Sequence, residues 1–269
     1  MALASFEQDL VLLQTAAREA GRIALGFFRK DPQVWWKEGN SPVSEADFAV
    51  DRYLKETLLG ARPDYGWLSE ETDPLLEVEA LLDPPQRFFV IDPIDGTRSF
   101  IRGEDTWCVS VAVVEAGRPV AGVIDAPATG EVFSAVAGGS ALLNGAPLTV
   151  SAAEPHVRLN VSMPDPMRKK LGRDGENRLA FARNAPSLAY RLALVASGRL
   201  DGTLIRPHAN DWDIAAGDLI LERAGGALVD IHGNPGRYLL EGRRHEVLVA
   251  AAQHALPALI GLAVAASAA

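Results

Sequence analysis

The sequence is poor in the features that mark several protein classes. Its 269 residues include one cysteine, Cys108, so no disulfide can form within the chain. That fits a reducing compartment. Basic residues are in the minority: 26 Lys and Arg against 35 Asp and Glu give a formal net charge of −9. Nonspecific binding to nucleic acid needs a basic surface, so no nucleic-acid polymer is expected as a partner. Long apolar runs are missing as well. The most apolar stretch, ALPALIGLAVAASAA at the end, is shorter than the about 20 residues that span a bilayer. It reads as a docking helix with a frayed end. The opening MALASFEQDL lacks the basic start and apolar centre of a secretory leader. The expectation is therefore a cytoplasmic protein with no membrane partner.

What is present is the composition of a folded protein, with 48% hydrophobic and 23% charged residues. The length fits one unit over 1–269, built of two lobes, about 1–150 and 151–269. Residues 6–28 repeat apolar positions at helical spacing (Leu10, Leu13, Ala17, Ala20, Ala24, Phe27). A basic aromatic loop, WWKEGNSP, follows. Ser44 then caps a second helix that Gly60 stops. From Gly66 the pattern turns to strands. YGWLSEE and RFFVIDPI are two of them, and CVSVAVVEAGRPVAGVIDAP is a hairpin about Glu115–Arg118. Cys108 alternates with valines there and reads as a small buried strand residue. EVFSAV and PLTVS continue the sheet, and 164–186 is charged and irregular. Helices and strands then alternate: SLAYRLALVASG with Ser187 as N-cap, DGTLI, WDIAAGDLILERAGG, ALVDI, HEVLVAA and the tail helix. The result is a layered α/β architecture.

The chemistry concentrates in VIDPIDGT. A buried strand ends on Asp92, Pro93 bends the chain, and Asp95 comes round beside it. Two like charges so close repel unless a cation lies between them. Hard divalent cations such as Mg2+ take carboxylate and carbonyl oxygens, and the Ile94 carbonyl is a further donor. TRSFIRG can start a helix whose N-terminus would attract phosphate. Asp-Pro-x-Asp-Gly is also ordinary turn chemistry. Glu70 and Glu71 can be solvated strand-end charges, Asp213 a first-turn charge and Asp47 a capping-box partner of Ser44. Together, however, four segments place carboxylates at the ends of elements.

These segments resemble the inositol monophosphatase superfamily. DPIDGT (92–97) looks like its first signature and WD with a later GG (212–226) like its second. SPVSEAD (41–47) and LSEE (68–71) resemble its upstream elements. The resemblance implies an αβαβα layered sandwich and an Mg2+-dependent phosphomonoesterase that uses two metal ions, with a third as an option. It implies Glu70, Asp92 and the Ile94 carbonyl as ligands of one ion, and Asp92, Asp95 and Asp213 as ligands of a second. Thr97 with Asp47 would orient the attacking water, alongside Glu70. The backbone of Gly96 and Thr97 would hold phosphate. Many members are lithium-inhibited dimers, so a lithium-sensitive homodimer is expected.

The motif leaves the substrate open. Arg98, in DGTRSF, stands where bisphosphate nucleotidases of the family carry lysine. Arg206 precedes the second signature where inositol phosphatases tend to carry an acid, and an arginine there can fork onto a second phosphate. The preferred expectation is a 3'(2'),5'-bisphosphate nucleotidase acting on 3'-phosphoadenosine 5'-phosphate. Inositol-1-monophosphatase, histidinol-phosphatase and a non-catalytic regulatory protein on the same fold are the alternatives. His208 is a further candidate substrate contact. Lys37, Trp35 and Trp36 are assigned no fixed role.

Overall fold

Residues 2–37, 41–72, 85–152, 158–171 and 177–268 are described in a computed structural model. The chain opens with helix α1 (Ala2–Phe27), whose buried stripe of Leu13, Ala16, Ala17, Ala20 and Ala24 is mostly alanine and lets the helix approach a sheet closely. Strands β1 (Val34–Lys37) and β2 (Ser41–Ser44) pair antiparallel and lead into α2 (Glu45–Ala61). The expected loop at WWKEGNSP is thus two paired strands where it is described. Trp35 packs edge-on against Phe48 of α2, ring centroids 5.7 Å apart, which gives this exposed pair its apolar contact. Gly60 does not stop α2; the helix runs through Ala61 and ends at Arg62.

A seven-stranded sheet follows, in the order β3 (Gly66–Ser69), β4 (Arg87–Asp95), β5 (Cys108–Glu115), β6 (Arg118–Ala126), β7 (Glu131–Val136), β8 (Leu142–Leu143) and β9 (Ala146–Pro147). Only the β3–β4 pairing is parallel. The β5–β6 hairpin turns on Ala116 and Gly117, both at positive φ (53° and 80°), as a two-residue turn between twisted strands requires. PLTVS does not continue the sheet beyond Pro147. Val150 donates its N–H to Ala224 O at 3.1 Å instead, so the segment is held by the end of a helix.

Within 158–186 the sequence conceals β10 (Leu159–Ser162), a single turn α4 (Asp165–Arg168) and β11 (Leu179–Phe181), where only irregular structure was expected from 164 onward. The remaining elements are α5 (Leu188–Ala196), β12 (Gly202–Ile205), β13 (Ala209–Asn210), α6 (Asp211–Arg223), β14 (Gly226–Asp230), β15 (Arg244–His245), β16 (Leu248–Ala252) and α7 (Leu256–Ala268). Helix α3 (Thr97–Ile101) sits between β4 and β5. A second, five-stranded sheet runs β11-β10-β12-β16-β14.

Side-chain alternation along the strands builds the layers. On β5, Val109, Val111 and Val113 face the core under α1 and α2, while Cys108, Ala112 and Val114 face the one under α5 and α6. On β16, Leu248 and Ala250 share the α5–α6 core, while Val249 and Ala251 face α7. The order is helix, sheet, helix, sheet, helix: the αβαβα sandwich, with α5 and α6 buried between two sheets. The two middle helices pack closely. A Cβ on Gly217 of α6 would come within 2.5 Å of the Leu192 side chain on α5.

Candidate active site

Strand β4 is buried from Phe88 to Asp95. Its register against β5 shifts between Asp92, opposite Ser110, and Asp95, opposite Cys108. Pro93 cannot donate to the ladder, and the bulge re-aims the strand end. Gly96 then takes φ +96°, and a Cβ there would lie 2.9 Å from Thr106 O and 3.1 Å from Ser187 Cβ. Only glycine meets both the angle and the space.

The bend brings three acids together. One carboxylate oxygen from each of Asp92, Asp95 and Asp213 falls within 4.8 Å of the others. Asp213 arrives from the first turn of α6, where its Oδ2 accepts the Asn210 N–H at 2.7 Å. Asp95 Oδ2 accepts Ser187 Oγ at 2.7 Å and the Ala189 N–H at 2.5 Å. Asp92 Oδ1 is buried without a hydrogen-bond partner among the described residues. Burial raises the pKa of all three. Repulsion from Glu70 and Asp95 adds to the rise at Asp92, and repulsion from Asp95 adds to it at Asp213. Asp95 is raised only to about 6, because its bonds from Ser187 and Ala189 oppose the burial. A partnerless buried carboxylate oxygen beside two further acids is costly unless a cation completes it. The donor set is all oxygen, which suits a hard divalent ion.

Glu70 is not one of these three acids, but its charge acts on Asp92. Its Oε1 lies 3.4 Å from Lys37 Nζ, which also reaches Glu71 Oε1 at 2.6 Å. Burial raises Glu71 to about 7 against the pull of Lys37. Ile94 is buried, and its carbonyl lies 3.1 Å from Thr97 Oγ1. The same hydroxyl lies 3.2 Å from Asp47 Oδ1, with one proton to share between them. Asp47 Oδ2 accepts the N–H and hydroxyl of Ser44 at 2.8 and 2.6 Å. Asp47 is therefore both a capping residue and the partner of Thr97. Burial raises it to about 6.

A cavity of about 660 Å³ opens on the cluster, lined in part by Asp95, Asp213, Arg98, Arg206 and His208. The two arginines and the histidine are exposed at this cavity. Trp35 and Trp36 are exposed on β1 and are absent from its lining. The structure adds residues that sequence patterns did not single out for the site. Ser187, which bonds Asp95, reads from the sequence only as a helix cap, and Arg191 and Asn184, which line the cavity, carry no sequence pattern that marks them. Arg191 lies in a run that reads as an ordinary amphipathic helix. Its pKa is lowered to about 10, first by burial, with repulsion from Arg206 adding to it and the charge of Asp95 opposing. Cys108 is buried, and its Sγ lies 3.4 Å from Ser187 Oγ; burial pushes its thiol pKa well up.

The sequence profile of the Inositol monophosphatase family matches residues 7–267. The chain belongs to the inositol monophosphatase family. It is 32% identical over 235 residues to an inositol-1-monophosphatase of Rhizobium meliloti, covering 83% of this chain and 85% of that one. It is 33% identical over 232 residues to a histidinol-phosphatase of Chlorobaculum parvum, covering 84% and 86%. The fold superposes on the extragenic suppressor protein suhB of Bartonella henselae with a TM-score of 0.82 at 29% identity, covering 96% of this chain and 98% of that one. Members of the inositol monophosphatase family are metal-dependent phosphatases that hydrolyse phosphomonoesters, and this chain is an enzyme of that class. The family uses Mg2+, which accords with the all-oxygen donor set. Among the described residues, no helix is long and apolar enough to cross a membrane.

Proposed function

We propose that the chain hydrolyses a small phosphorylated metabolite at the Asp92–Asp95–Asp213 cluster, with Mg2+ held there. The observation that carries this reading is the convergence of the three carboxylates beside a cavity large enough for a metabolite. Asp92, Asp95 and Asp213 would hold one ion. Glu70, Asp92 and the Ile94 carbonyl would hold another, and Glu70 would reach a third where one binds. Bound Mg2+ supplies a water of lowered pKa and relief of charge on the leaving oxygen. Thr97, steadied by Asp47, orients the attacking water toward phosphorus. The backbone at Gly96 and Thr97 holds the phosphate, since Gly96 lets it approach the chain closely. Lys37 ties Glu70 and Glu71 to β1 and sets where Glu70 sits. A cytoplasmic, lithium-sensitive homodimer belongs to the same reading and rests on the family alone.

Among substrates, the reading favours 3'-phosphoadenosine 5'-phosphate. Arg98 and Arg206 both line the cavity, where a guanidinium can fork onto a second phosphate of the substrate. The names of the relatives support inositol 1-phosphate and histidinol phosphate as the competing substrates. The test is phosphate release with Mg2+ from 3'-phosphoadenosine 5'-phosphate, inositol 1-phosphate, histidinol phosphate and fructose 1,6-bisphosphate. The nucleotide is expected to turn over with the highest kcat/KM. Preference for inositol 1-phosphate or histidinol phosphate would replace the nucleotidase assignment. Silence on all four would reopen a non-catalytic role.

A further inference from the structure

Arg191 is a buried cation in the cavity wall. It projects from α5, the helix sandwiched between the two sheets, and is 7% exposed. Its guanidinium has five N–H groups to satisfy. Among the described residues it makes one hydrogen bond, from Nη1 to Asn184 Oδ1 at 2.9 Å. Nε is buried with no partner at all. No carboxylate forms an ion pair with it among the described residues, although Asp95 and Asp213 act on it at longer range. A buried charge is ordinarily paired and fully hydrogen-bonded, because stranding one is strongly destabilising.

The surroundings show that the position is built. Asn184 Oδ1 also accepts Ser162 Oγ at 2.9 Å, so β10 holds the amide that holds Arg191. Arg206 lines the same cavity and repels Arg191. Arg191 and Arg206 line the same cavity as Asp95 and Asp213. If the carboxylates take metal ions, their charge is no longer available to Arg191. The unmet donors are then open to an anion from outside the chain.

We infer that Arg191, set by Asn184 and joined by Arg206, forms an anion subsite that takes a second acidic group on the leaving-group side of the substrate. This rests on the phosphatase reading above and goes deeper than the exposed arginines. The substrate class is a phosphomonoester whose alcohol carries a further phosphate or carboxylate. The scissile phosphate lies at the acidic cluster and the second anion lies at Arg191. Guanidinium forks fit both phosphate and carboxylate, so the shared chemistry is a planar, charge-assisted pair.

Matched substrates separate the two sources. 3'-Phosphoadenosine 5'-phosphate differs from adenosine 3'-phosphate only by the 5'-phosphate. 2-Phosphoglycerate differs from glycerol 2-phosphate by a carboxylate in place of a hydroxymethyl group. The wild-type enzyme with saturating Mg2+ is expected to favour the more acidic member of at least one pair by about 10- to 100-fold in kcat/KM, the worth of hydrogen bonds to a charged group. R191Q should bring that ratio close to one, chiefly through KM, while the less acidic member changes little. R191K should restore part of the ratio. A ratio lost in the nucleotide pair assigns the subsite to phosphate; one lost in the glycerate pair assigns it to carboxylate. R206Q, at an exposed position, folds whatever R191Q does, and it should lower the same ratio. The inference is overturned if wild type shows no preference within either pair, or if R206Q and any folded Arg191 variant lower both members equally. No turnover of any of the four compounds would instead count against the phosphatase reading.

Discussion

Ser187 and Asp95 are joined by a 2.7 Å hydrogen bond across 92 residues of sequence. The same serine oxygen accepts the Tyr190 N–H at 3.1 Å and so caps α5. One hydroxyl thus fixes a proposed metal ligand on the large sheet and starts the helix that carries Arg191. Its proton is committed to Asp95, which leaves Cys108 as the donor in the Cys108–Ser187 contact.

The Ser187 link gives a first prediction. S187A should weaken Mg2+ activation about 10- to 100-fold, the usual cost of losing a group that orients a metal ligand. It should also cost about 1 kcal/mol of stability through the lost cap. Mg2+ titrations of phosphate release and thermal melts check the two effects separately. Unchanged Mg2+ dependence would show that Asp95 is positioned without Ser187.

Gly96 gives a second. G96A adds a Cβ 2.9 Å from Thr106 O at a φ of +96°. The bend must open, which moves Asp95 and Thr97 on either side of it. Activity should fall by at least about 100-fold, since misplacing groups by about 1 Å costs that much. Stability should fall by about 1–3 kcal/mol from backbone strain. Full activity in G96A would mean that the bend tolerates a side chain and is not a fixed part of the site.

Thr97 and Asp47 are proposed to handle the water, so they should separate from the metal ligands. T97V and D47N are expected to lose about 100-fold or more in kcat, within the usual range for a positioned proton-transfer group. Direct Mg2+ binding, measured by calorimetry, should stay close to wild type. Equal loss of binding and turnover would place both residues in the metal site itself.

Asp125 offers a pH prediction away from the metal cluster. It is buried beside α1, where a Cβ on Gly21 would clash with its Oδ2. Burial raises its pKa from 3.8 to about 7, and Arg18 opposes the rise only in part. The folded protein therefore holds a proton that the unfolded chain has released between about pH 4 and pH 7. The stabilisation from this proton is fully present below the unfolded value and is lost as pH climbs through about 7. D125N should be more stable than wild type at pH 8, by roughly 2–4 kcal/mol, and the gap should shrink toward pH 5. Melts at fixed, saturating Mg2+ test this. A wild-type minus D125N difference that does not vary with pH would contradict it.

Much of this was readable in the residues themselves. VIDPIDGT carries its own bend in Pro93 and Gly96, and WD opening α6 places Asp213 at a helix start. Alternation on β5 and β6 gave the hairpin, and Ser187 announced α5. Other parts depend on partners far away in sequence. β11 lies in the charged stretch, and its strand character comes from pairing with β10, which pairs in turn with β12. Trp35 and Trp36 lie on a strand because β2 returns alongside them. Arg191 looks like the polar face of an amphipathic helix. Only the second sheet, closing over α5, turns that face into a buried wall of the cavity. The ion pair of Lys37 with Glu70 was equally invisible, because it depends on β1 lying beside the end of β3.

The central claim is that Asp92, Asp95 and Asp213 hold the Mg2+ that drives hydrolysis. The most direct test is Mg2+-dependent phosphate release by D213N beside wild type, on whichever substrate wild type prefers, with the fold checked by thermal melting. D213N keeps the size of the side chain and its place at the start of α6. The account predicts a folded protein whose turnover falls by at least about 100-fold, with a higher Mg2+ requirement. Undiminished turnover by folded D213N at the same Mg2+ concentration would contradict it.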